Sequence, residues 1–423
     1  MEKKILSNSI WMMSEKVISI VGLIFVTSYV AKYVGPGIFG QIAFATSLFQ
    51  ITQVISQLGS DVIIFKRISR NVTSGIKLIY ATTTIRFFIY LLTSIPVLLF
   101  TYYKGDSDGL IYLVACFLAC LFSALDVYSI YYDATLQSKK NTIINAFGLI
   151  ISLILRWGVA VFALSPEFLC IPIICSGLIP YIIRMCYFNG GLKVKIKRRK
   201  HKFLYTKYLF KTGITFVVST ISVAIYIRLS MLCLGYMDGA STVGVYSVAA
   251  TLATSWGFIC QSFIKSTLPS IFSEKEHHLA IMKSATLSVL VVCIASPILL
   301  GAFIFGEWFI NIFYGEKYQA AFIPMMILSF STVISALGTI SARFIARMSG
   351  YGFLSKKMLV VAIVSLLFNV VLINYYGIIG ASIATIVTEI LSLTLLNYFF
   401  HKGIVFQIHK MIILKNLFLL KRK

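Results

Sequence analysis

Long apolar runs, each about 20 residues, recur along this chain and are joined by short polar connections. They lie at 9–30, 40–64, 77–101, 110–134, 142–164, 168–188, 208–234, 241–268, 280–305, 320–346, 357–376 and 379–400. As an α-helix, a run of this length matches the hydrocarbon thickness of a bilayer, whereas barrel strands are half as long and alternate in polarity. Lipid offers the backbone no hydrogen-bond partners, so spanning elements must be helices or a closed barrel. Only 12% of the 423 residues are charged, about half the share of a soluble domain. These features predict an all-α polytopic membrane protein with about 12 transmembrane helices.

The net charge is +24, and where it sits predicts orientation. Lysines and arginines gather on alternate connections: Met1–Lys4, 66–77, 137–141, 189–211, 273–283, 347–357 and the tail from Lys402. The other connections are short and poor in positive charge. Basic loops resist translocation, so both termini are expected in the cytoplasm. The strongest cluster is 189–211, where nine of 23 residues are Lys or Arg. It divides the chain into 1–188, an N-terminal six-helix lobe; 189–207, a basic cytoplasmic linker; 208–400, a C-terminal six-helix lobe; and 401–423, a basic amphipathic cytoplasmic tail. An anionic leaflet would hold such a linker, and a solvated linker is equally consistent with it. A nucleic-acid site would need a folded soluble domain, so nucleic acid is not an expected partner. Residues 404–420 are apolar but broken by His409, Lys410 and Lys415, which predicts an interfacial helix. The halves also look like a repeat. Tyr33-Val-Gly-Pro-Gly-Ile-Phe-Gly-Gln joins spans one and two, and Tyr236-Met-Asp-Gly-Ala-Ser-Thr-Val-Gly joins spans seven and eight. Repeated lobes place a substrate path at their interface.

Several spans carry polar stripes. In span two, Thr46, Gln50, Gln53, Gln57 and Ser60 are spaced four, three, four and three, one face of a continuous helix. Similar stripes are Asn145, Ser152 and Arg156; Ser222, Tyr226 and Ser230; Thr254, Gln261 and Lys265; Ser335, Thr339 and Arg343; and Ser382, Thr385 and Glu389. Helix–helix packing accounts for single serines and threonines. Stripes ending in Gln, Lys and Arg point to a water-accessible cavity.

A charge at mid-bilayer costs about 2.5–3.5 kcal/mol even on insertion scales. The cost is avoided by pairing, snorkelling or facing water. The counted acids are Glu15, Asp126 and Glu389, against Lys16, Arg86, Arg156, Arg228, Lys265 and Arg343, so the interior is expected to be net cationic. Arg86, Arg156, Arg228, Lys265 and Arg343, with Gln53 and Gln57, are the candidate substrate-binding residues. Guanidinium forks suit phosphate oxygens, and amides suit sugar hydroxyls. Arg228 is out of phase with Tyr226 and Ser230, and Lys265 can instead snorkel. Glu15, Asp126 and Glu389 are candidate proton or sodium sites. Asp126 and Asp133, seven apart, are expected on one face with Ser123 and Ile130. In-span prolines (Pro96, Pro172, Pro180, Pro297 and Pro324) offer hinge points or simple packing. The eight cysteines include no C-x-x-C and read as small packing hydrophobes. No metal site, cofactor or nucleotide-binding loop is expected, so the chain reads as a transporter, not an enzyme.

Four stretches carry a family resemblance: Tyr33-Val-Gly-Pro-Gly-Ile-Phe-Gly-Gln, Tyr226-Ile-Arg-Leu-Ser-Met-Leu-Cys-Leu-Gly, Phe313-Tyr-Gly-Glu-Lys-Tyr-Gln-Ala-Ala and Tyr376-Gly-Ile-Ile-Gly-Ala-Ser-Ile-Ala-Thr. Through them the chain resembles the multidrug/oligosaccharidyl-lipid/polysaccharide exporter superfamily, most closely the O-antigen and capsule repeat-unit flippases (Wzx-type). The resemblance implies two six-helix bundles around a central cavity and alternating access. It also implies an undecaprenyl-pyrophosphate-linked oligosaccharide as substrate, moved outward across a bacterial inner membrane, with membrane lipid, a polysaccharide polymerase and a chain-length regulator as partners. Around span seven the family pattern often reads Tyr-x-Arg/Lys-x-Asp. Here Tyr226 and Arg228 match, but Ser230 stands where the acid would be. Competing readings are a capsular precursor flippase, a cation-coupled drug antiporter, a peptidoglycan-precursor flippase, which usually has two further spans, and a sugar polymerase or ligase, which usually has a large external loop.

Overall fold

A computed structural model describes residues 2–104, 109–190, 202–274 and 276–411. The side chains of 2–18, 21, 23, 104, 202–219 and 402 lie outside that description. Much of the basic linker and the end of the tail therefore lie outside the described residues.

The helices are α1 (Glu2–Gln57), α2 (Ser60–Arg70), α3 (Val72–Lys104), α4 (Leu110–Leu125), α5 (Tyr128–Ala134), α6 (Ser138–Val161) and α7 (Cys170–Gly190), then α8 (Lys202–Met237), α9 (Ala240–Ser255), α10 (Gly257–Phe272), α11 (His277–Phe313), α12 (Phe322–Arg347), α13 (Tyr351–Leu393) and α14 (Leu395–Tyr398). Among the described residues, ten helical segments are long and apolar enough to cross a membrane. Two of them contain a non-helical glycine, Gly35 in α1 and Gly377 in α13. With each of these taken as two arms, the twelve expected spans are present. Exposed side chains such as Leu92, Leu300 and Leu367 leave apolar surface that lipid, not water, would cover.

The turns at Gly35 (φ 76°, ψ 171°) and Gly239 (φ 87°, ψ 178°) have nearly the same backbone. Both lie in the left-handed region that a Cβ disfavours. They are the corresponding turns of the two halves, so the sequence repeat is also a repeat of backbone shape. α1 and α13 break internally at glycines. α3, α7 and α11 continue through Pro96, Pro180 and Pro297, so these prolines do not divide their spans.

The chain forms two compact units, Met1–Arg228 and Leu229–Lys423. The division falls within α8, which runs from Lys202 to Met237. In unit 1, Ala45, Phe49, Tyr90, Cys116, Cys120 and Ile173 form one apolar core, and Ile64, Ile68, Leu78, Val127 and Phe188 another. In unit 2, the core joins Ile264, Ile281, Val291, Ile340 and Phe344 to Ile404, Val405 and Ile408. Of the tail expected to form an interfacial helix over 404–420, Ile404, Val405 and Ile408 join this core, and residues 412–420 lie outside the described residues.

Two expected faces are broken. Leu58 (φ 50°) and Gly59 (φ 60°) end α1 after Gln57, so Ser60 begins a new helix and leaves the stripe of Thr46 to Gln57. α4 likewise ends at Asp126 (φ −75°, ψ 66°). Asp126 and Asp133 therefore do not share a continuous helix face.

Candidate functional site: a charge-paired cavity and an exposed cation pair

The two broken spans meet one cavity. Irregular backbone at membrane depth is tolerated where it is buried in protein or lines a polar cavity. Unit 1 contains such a space, a half-open pocket of about 220 Å³. Gln57 and Asp61 line it from either side of the α1–α2 break, and Asp126 and Ser129 from the α4–α5 break. Arg86, Arg184, Asn145 and Ser176 complete the polar wall.

Arg86, on α3, is 1% exposed. Its Nη2 pairs with the Asp61 carboxylate, its Nε donates to Ser60 Oγ at 3.1 Å, and its Nη1 donates to the Ala124 carbonyl at 3.1 Å. Arg184, on α7, is 3% exposed. It pairs with Asp126, donates to Asn145 Oδ1, and reaches Asn141 Oδ1 at 3.1 Å. Asn141 Nδ2 in turn donates to the Ser129 carbonyl at 2.7 Å and to Asp133 Oδ1 at 2.8 Å. This network ties α4, α5, α6 and α7 together. Buried guanidinium groups need such partners, since an uncompensated charge costs several kcal/mol. Asp126 Oδ1 is buried without a hydrogen-bond partner.

The expected surplus of cations is therefore absent from this cavity. Its two arginines face two aspartates. The sequence count omitted Asp61 and Arg184.

Unit 2 carries a different arrangement. Thr332 Oγ1 on α12 donates to the Ala253 carbonyl on α9 at 3.0 Å, and Gln261 Nε2 on α10 donates to Thr339 Oγ1 at 3.2 Å. These contacts set α9–α10 and α12 in parallel register. One turn beyond Gln261 stands Lys265, and one turn beyond Thr339 stands Arg343. Both are exposed. Among the described residues neither Lys265 nor Arg343 stands in an ion pair like Arg86–Asp61 or Arg184–Asp126.

A polysaccharide biosynthesis protein family model matches residues 5–273, more than half of the chain. The chain belongs to that family. A probable low-salt glycan biosynthesis flippase, Agl15 of Haloferax volcanii, is 23% identical over 202 residues. The match covers 46% of this chain and 42% of that relative, so the chain spans less than half the length of the curated relative it matches. Among solved structures, lipid II flippase MurJ in an inward closed conformation aligns with a TM-score of 0.71 at 14% identity, covering 96% of this chain and 90% of that one. An inward-facing multidrug resistance MATE family transporter of the MOP superfamily aligns at 0.67 and 11% identity, covering 96% and 99%. At such identities the structural likeness shows the fold alone: a bundle of long apolar helices in the same order.

The remaining candidates are dispersed. Arg156 is half-buried in α6, and its Nε has no hydrogen-bond partner among the described residues. Gln53 and Arg228 are half-buried, and Gln53 does not line the cavity with Gln57. Glu389 is half-buried and acts electrostatically on Lys357. Lys357 was counted among the cytoplasmic loop cations but is 7% exposed, donating to Asn397 Oδ1 at 3.0 Å and to the Ser392 carbonyl at 3.3 Å. The Glu15 side chain lies outside the described residues. The sequence did hold a signal for Asp61 and Arg184, as each sits inside or at the end of an apolar run. Their pairing crosses helices and leaves no trace in sequence spacing.

Proposed function

We propose that this protein moves a lipid-linked oligosaccharide across the membrane. Its substrate is an undecaprenyl-pyrophosphate-linked O-antigen repeat unit, passed from the cytoplasmic to the periplasmic leaflet of the inner membrane by alternating access. The observation that carries the proposal is the parallel placement of Lys265 and Arg343, two exposed cations without acids bound to them. A diphosphate needs such charge, and Arg offers it a bidentate fork. Family membership supports the glycan half of the substrate. The basic connections support a cytoplasmic location for both termini. Outward delivery would hand the repeat unit to a polysaccharide polymerase and its chain-length regulator.

Export of a lipophilic cation is less well supported. Such a substrate calls for available carboxylates, and Asp61 and Asp126 are each held by an arginine. Coupling to a proton or sodium ion is part of the proposal only through Glu389 and Glu15.

Deletion of the gene in its own host tests the proposal. Loss of surface glycan, with lipid-linked repeat units accumulating on the cytoplasmic side and restored by the wild-type chain, is the expected result. Normal surface glycan together with lost resistance to an organic cation would contradict it.

A further inference from the structure

The cavity of unit 1 differs from a diphosphate site in one respect: its charges cancel. Arg86 and Arg184 are each committed to a carboxylate, so an entering phosphate would meet Asp61 and Asp126 as well as the guanidinium groups. A free cation meets the converse problem, because both carboxylates already hold a cation and two guanidinium groups face it. A neutral ligand with many hydroxyl groups meets neither. Each hydroxyl both donates and accepts. The Gln57 amide on the cavity wall supplies both kinds of group. At about 220 Å³ the cavity has room for several waters, the kind of space a single sugar ring would take over from them. Ile130 contributes an apolar patch to the wall that suits the C–H face of such a ring.

We propose that this cavity binds one neutral, hydroxyl-bearing sugar residue, and that it recognises the glycan while other groups hold the phosphates. The proposal rests on the flippase reading for its choice of glycan as cargo. It divides recognition within the chain: paired charges in unit 1 for sugar, unpaired cations in unit 2 for diphosphate.

The test is ligand-observed saturation-transfer NMR on the full-length protein in detergent. The probes are the methyl glycosides of glucose, galactose, mannose and N-acetylglucosamine, each offered alone, with inorganic pyrophosphate and sodium chloride as competitors. At least one glycoside is expected to give a saturable signal. Gln57→Leu should weaken it about tenfold, the effect of one lost hydrogen bond of about 1.4 kcal/mol. Ile130→Trp should abolish it by filling the space. A thermal unfolding scan of each variant separates lost binding from lost fold. Competition by pyrophosphate would overturn the proposal in favour of an anion site, and competition by sodium in favour of a cation site. No saturable signal from any glycoside, with a lipid-linked glycan still moved by the same protein in proteoliposomes, would overturn the sugar site and leave the flippase standing. A glycoside signal that Gln57→Leu removes, without movement of any lipid-linked glycan, would keep the sugar site and overturn the flippase.

Discussion

In unit 1, Arg86 and Arg184 are enclosed and each holds a carboxylate; in unit 2, Lys265 and Arg343 stand exposed with no acid bound to them. The first pair is costly to disturb because both guanidinium groups have left water, and removing a carboxylate strands one of them. The second pair is nearly free of structural duty, so its charge is available to a ligand. The same residue types thus serve cohesion in one half and contact in the other. Burial and pairing separate the two roles, and residue identity does not.

The comparison breaks most sharply at Arg184. Arg184→Met leaves Asp126 charged and buried and deprives Asn141 and Asn145 of a donor. It should cost about 3–5 kcal/mol, seen as a large fall in the unfolding midpoint in detergent. Adding Asp126→Leu to Arg184→Met should recover part of that loss, because the stranded charge is gone. A small effect of Arg184→Met would show that the cavity is wet enough to solvate Asp126.

Close backbone approach comes next, and it compares the units on equal terms. A Cβ at Gly177 would lie 2.4 Å from the Ala119 carbonyl oxygen in unit 1, and one at Gly380 would lie 1.9 Å from the Leu372 carbonyl oxygen in unit 2. Gly177→Ala and Gly380→Ala should each cost about 1–3 kcal/mol, because backbone must shift. At Gly239 a Cβ would meet nothing within 4 Å. Gly239→Ala should cost only backbone strain, about 1–3 kcal/mol for a non-glycine residue at positive φ with extended ψ. Unfolding midpoints of the three variants provide the ranking.

Lys265→Ala and Arg343→Ala should sharpen the comparison from the other side. Each is expected to change stability by no more than about 0.5 kcal/mol, measured in the same unfolding assay. A loss as large as that of Arg184→Met would mean that these cations are structural too.

The smallest effect concerns His409, outside the described spans. Its Nδ1 lies 2.9 Å from the Tyr398 hydroxyl, and burial lowers its pKa below the ordinary histidine value. A lowered folded pKa means that the unfolded chain binds the proton more readily. The stability contributed by neutral His409 is therefore full above about pH 6.5 and is lost as pH falls through the folded value. His409→Leu should flatten the dependence of unfolding on pH in that acidic range.

The spans were legible because 20-residue apolar runs admit few other structures, and the repeat was legible through its Gly turns. Gln57 and Arg86 stood out as polar groups on apolar helices. Asp61 and Arg184 carried the same signal at the ends of apolar runs, but their pairing did not, because a pair between distant helices has no sequence period. The ends of α1 at Leu58 and of α4 at Asp126 were also hidden. A stripe spaced four, three, four and three looks like one helix, and neither end carries a proline. The burial of Lys357 was hidden for a similar reason, since a lysine beside a loop gives no sign of the Asn397 side chain that holds it.

Outward movement of a fluorescent prenyl-pyrophosphate oligosaccharide in proteoliposomes tests the proposed transport most directly. Wild type and Lys265→Ala/Arg343→Ala would be compared at equal insertion. Movement by wild type that falls at least tenfold in the double variant, with its unfolding midpoint unchanged, is the expected result. Equal movement by both would contradict the role given to the exposed cations, and no movement by wild type would contradict the flippase itself.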